Sequence, residues 1–165
     1  MAASVDMIRQ GAVRGRNSRR RIRRAGAVLE LALALPMVLY LAFGIVEFGQ
    51  FMYIKHAFEA AARDATRVAI MANATQTQVT STLTTTLSEA NVTYNSAWLT
   101  ITDLGPSSSG SVTNVANVPV GDQIQLILSA NYASIPNAVR PLYQLSGVGI
   151  GSGKSVVGEC TMVKE

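Results

Sequence analysis

Residues 27–46 read AVLELALALPMVLYLAFGIV, and this run decides how the rest of the chain is read. Its 20 residues carry one charge, Glu30. At about 1.5 Å of rise per residue, a helix of this length crosses the roughly 30 Å hydrocarbon core of a bilayer. A core helix of a soluble protein that is apolar all round needs a larger body of chain around it than follows here. The run therefore predicts one membrane-spanning helix.

Charge on the N-terminal side sets the expected orientation. Arg9, Arg14, Arg16, Arg19, Arg20, Arg21, Arg23 and Arg24 precede the run, with Asp6 as the sole acid, so residues 1–25 carry +7. The remaining chain is net negative, and the pI of 9.6 belongs to the arm. This argues against nucleic-acid binding by the whole chain. Arginines within about 15–20 positions of a span stay on the cytoplasmic side. Residues 1–25 show no apolar periodicity and read as a flexible basic arm.

On the other side the helical pattern continues. Phe48, Phe51, Met52, Phe58, Ala62, Ala65 and Ala69 recur at helical spacing on one face, and no Pro interrupts residues 47–72. Glu59 with Arg63, and Asp64 with Arg67, have the spacing of surface ion pairs. Pro36, inside the apolar half, removes one backbone donor and is expected to kink the helix or free a carbonyl. Asn73 is the expected stop. The sum is a helix of roughly 70 Å, half apolar all round and half amphipathic.

Residues 75–90 read TQTQVTSTLTTTLSEA. The four-residue spacing of Val79, Leu83 and Leu87 predicts a short helix despite the β-branched content. The period then changes. Residues 98–102, 123–132 and 154–164 read as strands, the second with Ile124, Leu126 and Leu128 alternating against Gln123, Gln125 and Ser129. Residues 106–110 (PSSSG) read as a loop, and 136–145 as a linker with room for a helical turn. Three strands over a helix make one small antiparallel sheet. The expected class is α+β. The expected division is a leader at 1–25, a long helix at 26–73 (27–46 transmembrane, 47–72 amphipathic) and an extracytoplasmic α+β domain at 74–165.

Several apparent motifs carry no chemistry. Residues 151–155 (GSGKS) lack the earlier glycine of a phosphate-binding loop, whose place is held by Val148, and a strand follows instead of a helix. Those glycines are expected to form a hairpin turn. His56 is the sole histidine and Cys160 the sole cysteine, so neither a zinc site nor an intrachain disulfide can be built. Cys160 is expected as a small half-buried strand residue. Asn73-Ala-Thr and Asn91-Val-Thr fit glycosylation sequons, a pattern that any Asn/Thr-rich chain produces by chance. Asp103, Asp122, Glu159, Lys154 and Arg140 are scattered and suggest no acid–base pair. No enzyme, cofactor, metal site or small-molecule substrate is expected.

The junction at residues 23–31 (RRAGAVLEL) joins a basic leader to small residues and an apolar helix with one carboxylate. With residues 31–69 (LALALPMVLYLAFGIVEFGQFMYIKHAFEAAARDATRVA), this stretch resembles the TadE-like family, minor pseudopilins of tight-adherence (Flp-type) pili. The resemblance is strong over about residues 20–72. It implies a pilin-like fold, with a small β-rich domain after the helix. It implies cleavage of the leader by a prepilin peptidase, with Arg24, Ala25, Gly26 and Glu30 as the processing region. Glu30 is the fifth mature residue if the cut follows Ala25 and the fourth if it follows Gly26; Leu31 stands where the family usually has an aromatic. The new amine, on this or a neighbouring subunit, is the implied partner of the Glu30 carboxylate. Glu30, Pro36 and Glu47 are the residues implied in membrane assembly. The implied partners are membrane lipid, the prepilin peptidase, a TadF-like pseudopilin, the major pilin and the assembly platform. The implied location is the bacterial inner membrane, N-terminus cytoplasmic. The competing readings are an uncleaved anchor, a membrane-tethered adhesin or binding module unrelated to pili, and a tethered enzyme or regulatory subunit.

Overall fold

The computed structural model describes residues 3–106, 109–147, 149, 151 and 153–165, with side chains from residue 26 onward. The chain forms two compact units, Met1–Phe43 and Gly44–Glu165. Helix α1 (Ala3–Ala69) supplies residues to both. The basic arm is thus helical, against the expectation of an irregular segment. It has no proline, and Arg, Ala, Met and Ile tolerate a helix that the adjoining apolar run has already nucleated. The helix stops at Ala69, earlier than expected, and Asn73 adopts a left-handed conformation just beyond (φ 59°). Pro36 lies inside α1 and leaves the Ala32 carbonyl without the usual amide donor.

In the unit Gly44–Glu165, α2 (Gln76–Glu89) follows α1. A reciprocal cap starts it: the Gln78 amide donates to Thr75 Oγ1 (3.3 Å), and the Thr75 amide donates to Gln78 Oε1 (2.9 Å). Its threonines fit a helix because their hydroxyls donate back to carbonyls four residues earlier. Examples are Thr82 to Gln78 (3.0 Å), Thr84 to Thr80 (2.8 Å) and Thr85 to Ser81 (3.0 Å). Val79, Leu83 and Leu87 point into the core, fully buried.

Four strands make one antiparallel sheet in the order β2-β1-β3-β4. They are β1 (Leu99–Asp103), β2 (Gly110–Val112), β3 (Gln123–Asn131) and β4 (Ser155–Val163). The expected sheet lacked β2, which lies in and just after the segment read as a loop; three residues are too few to show alternation. Gly151 and Gly153 lie at a turn, with the Lys154 amide donating to the Gly151 carbonyl (3.1 Å), but this turn ends a long connection and does not form a tight hairpin between β3 and β4. The connection from β3 to β4 is long, and it includes a 3-10 turn (Tyr132–Ser134) and helix α3 (Pro141–Ser146). Asn95, Asn114 and Asn131 each cap a 3-10 turn by accepting from the amide two residues on.

The sheet's inner face carries Ile101, Ile124, Leu126, Leu128 and Val156, all buried. These pack with Ile54, Phe58, Ala61, Ala62, Ala65 and Ala69 of α1 and with α2 in one core cluster. The outer face carries Thr100, Thr102, Gln125, Ser129 and Glu159, the polar alternation of a sheet wet on one side. The amphipathic half of α1 therefore buries its small-residue stripe as expected, while Phe48 stays half exposed. Surface pairing differs from expectation: Glu59 meets Lys55 (3.8 Å) and His56 (3.6 Å), not Arg63. Cys160 is half-buried in β4, as expected of a small strand residue.

Gly158 fixes the distance between β4 and α1. A methyl group there would overlap the Phe58 carbonyl of α1. Overfilling such a contact costs about 1–3 kcal/mol. Gly158→Val is expected to lower the urea midpoint of the full-length protein in detergent micelles by a corresponding amount. Fluorescence of Trp98, whose ring lies 5.8 Å from that of Phe58, is the readout.

Candidate functional site

Two regions hold the residues singled out in the sequence. In the unit Met1–Phe43, the described side chains from Gly26 onward are almost all exposed apolar groups: Val28, Leu33, Met37 and Leu41 show 66%, 73%, 77% and 65% of their surface. Gly26–Ala69 is one helix long and apolar enough to cross a membrane. Surface of this kind over such a length finds a stable environment among lipid chains. Glu30 lies exposed within it and meets no cation among the described residues. The side chains of Arg24 and Ala25 lie outside the described residues, as does Val148, the position that breaks the phosphate-loop pattern.

The second region lies in the unit Gly44–Glu165. Glu47 directly follows the apolar run and is fully buried. Helix α3 explains its burial. The first turn of a helix exposes amides with no internal partner. At the start of α3 the N-cap residue is Arg140, which makes no side-chain cap, and Pro141 follows it. Glu47 supplies the missing acceptor from elsewhere in the chain. Its Oε2 accepts from the Leu142 amide (3.0 Å) and the Tyr143 amide (3.4 Å). A negative charge at this end also matches the helix dipole. The packing is close enough that a side chain at Gly149 would overlap Glu47, and one at Gly151 would overlap the Tyr132 ring.

Around this cap the aromatic groups interlock. Phe51 of α1 meets the Tyr132 ring edge-on at 5.2 Å. The Arg140 guanidinium lies 5.9 Å from the Tyr132 ring centre and 5.4 Å from that of Tyr143. It donates to the carbonyls of Tyr132 (3.3 Å) and Ala133. Glu47 Oε1 and the Tyr132 hydroxyl are buried without hydrogen-bond partners among the described residues. Burial, reinforced by the Glu47 charge and opposed by Arg140, pushes the Tyr132 hydroxyl above its usual 10.0. Burial alone raises Tyr94.

Sequence reading selected Glu47 but not Tyr132, Tyr143 or the amides of Leu142 and Tyr143. One signal was available: an Arg-Pro start with no capping acceptor implies that an acceptor comes from elsewhere. Among the described residues no group of three or more His, Cys, Asp and Glu could hold a metal.

Residues 25–67 match the family model described as TadE-like protein. Over this segment the chain is similar to TadE-like proteins. No curated protein and no solved structure matches the chain. The TadE-like segment holds the whole exposed apolar run, the candidate processing residues Ala25, Gly26 and Glu30, then Pro36 and Glu47. It also holds most of the stripe of α1 that the sheet covers.

The cap and the buried hydroxyl give separate predictions. Glu47→Ala strands two amides and is expected to cost about 1–3 kcal/mol in urea titrations, more than Glu47→Gln, which keeps an acceptor. A raised tyrosine pKa means that the folded state holds its proton longer than the unfolded chain. The stability this contributes is complete below pH 10 and is lost as pH rises through the folded-state value. The urea midpoint is therefore expected to decline above pH 10, and Tyr132→Phe to reduce that decline. An unchanged alkaline slope in Tyr132→Phe would count against the assignment.

Proposed function

We propose that this protein is a structural, non-catalytic subunit of a tight-adherence pilus, a minor pilin or pseudopilin held in the bacterial inner membrane. The observation that carries this reading is the TadE-like match over residues 25–67. It coincides with a helix whose first part is bare apolar surface and whose later part is the spine of a small α+β domain. Residues 27–46 would span the bilayer. The arginine-rich arm would stay cytoplasmic by the positive-inside rule, and the sheet would stand outside the cytoplasm.

In this reading the arm is a leader that a prepilin peptidase removes, and the bond after Ala25 is the cleavage site. The cut removes a charge of +7 and leaves an α-amino group at Gly26. That amine, on the same or a neighbouring subunit, neutralises Glu30, whose carboxylate is costly within hydrocarbon unless it is paired. Glu30 thereby sets register between neighbouring helices, and Pro36 loosens the helix locally. The neighbours are other pilus-system proteins: a TadF-like pseudopilin, the major pilin and the assembly platform.

Two measurements test the reading. N-terminal sequencing of membrane-extracted protein is expected to begin at Gly26; an intact Met1 arm would refute processing. Deletion of the gene is expected to abolish pilus assembly and surface attachment, with both restored by the wild-type copy. Unaltered pili and attachment in the deletion strain would refute the function.

A further inference from the structure

The outer edge of β4 is open, and the phase of its hydrogen bonds is known at both ends. Tyr132 donates its amide to the Lys154 carbonyl (3.0 Å), and Lys164 donates its amide to the Asp122 carbonyl (2.9 Å). Antiparallel pairing alternates, so the even-numbered residues of β4 bond to β3. Ser155, Val157, Glu159, Thr161 and Val163 turn their amides and carbonyls away from the sheet. β4 is the end strand in the sheet order, and no backbone bond from another described segment meets that edge. Nine residues long and without proline, it lacks most of the features that blunt an edge.

The space beside the edge has a floor. A groove of about 580 Å³ lies between β4 and a flank of α1, bounded by Met52, Lys55, Glu59 and Arg63 on the helix and by Ser155, Val157 and Glu159 on the strand. These strand residues belong to the outward-bonding set. Phe51, in the same groove, is also half-buried. A flank of α1 thus lines the space beside the open edge.

We propose that this edge binds an extended segment of a different protein, which adds to the sheet as an antiparallel fifth strand with a basic residue opposite Glu159. Charge decides against a second copy. Self-pairing over all nine residues sets Glu159 against Glu159, like charges directly opposed at the centre of the strand. Glu159 itself is exposed and makes no ion pair within 4 Å among the described residues, whereas Glu59 already has Lys55 and His56. A lysine or arginine beside Glu159 supplies the missing counter-charge. The alternate residues of the guest face α1 and are apolar, to cover Phe51 and Met52. This mode of recognition takes its affinity from main-chain bonds and its selectivity from alternate side chains.

The test uses full-length protein in detergent micelles and a labelled nine-residue peptide alternating Thr and Val around a central Lys. Fluorescence anisotropy is expected to show saturable binding. At least tenfold weakening is expected when the central Lys and its two nearest Thr are N-methylated, a control that leaves the protein unaltered. Val157→Pro removes one outward amide without touching the bonds to β3 and is expected to weaken binding similarly. Glu159→Lys is expected to reverse the preference between Lys-centred and Glu-centred peptides. Equal binding of the N-methylated peptide, no binding at millimolar peptide, or no response to Glu159→Lys overturns the proposal. So does a protein that is dimeric in sedimentation and becomes monomeric on Val157→Pro, since the occupant would then be a second copy.

Discussion

The crossing of β4 over α1 at Gly158 and Phe58 is the contact on which the unit Gly44–Glu165 depends. A helix built around Ala61, Ala62, Ala65 and Ala69 is thin on one side, and a strand with glycine at the crossing can lie almost against its backbone. This close approach lets the larger side chains interdigitate around it: Phe58 with Trp98 on one side, Leu126 and Leu128 on the sheet, Leu83 and Leu87 on α2. Burying these side chains is the main favourable term for so small a sheet, because one or two strands alone would not be stable in water. β4, which makes this crossing, is also the end strand of the sheet, so its outer edge lies beside the helix.

Much of this was legible in the residues. The 20-residue apolar run, the alanine stripe of α1, the four-residue spacing in α2 and the alternation in β3 each state a period that physics ties to one element. What escaped has identifiable causes. Gly110–Val112 is too short to state any period. The arm lacks an apolar face, so nothing in its pattern revealed that it joins α1. The Glu47 cap links residues 95 positions apart in sequence, and no local pattern encodes such a contact. Glu59 chose Lys55 and His56 over Arg63, which spacing alone does not decide.

The two carboxylates of the TadE-like segment illustrate how environment divides similar residues. Glu47 is enclosed and its Oε2 accepts from two amides of its own chain, so it acts inside the fold. Glu30 is exposed on apolar surface, with nothing from the described chain to answer its charge. A carboxylate in that position has most to gain from a neighbour. Charged residues 17 positions apart on one helix thus sit in opposite environments, one closing the domain and one bare on apolar surface.

The threonines of α2 bear on what the outer surface offers. Counted by composition, residues 76–89 are strongly polar. Yet Thr80, Thr82, Thr84 and Thr85 have all turned their hydroxyl protons to the helix's own carbonyls. Each such proton is withdrawn from the surrounding water, and a methyl group stands beside each engaged oxygen. To an approaching molecule, these threonines offer methyl groups and acceptor oxygens, with their donors already engaged.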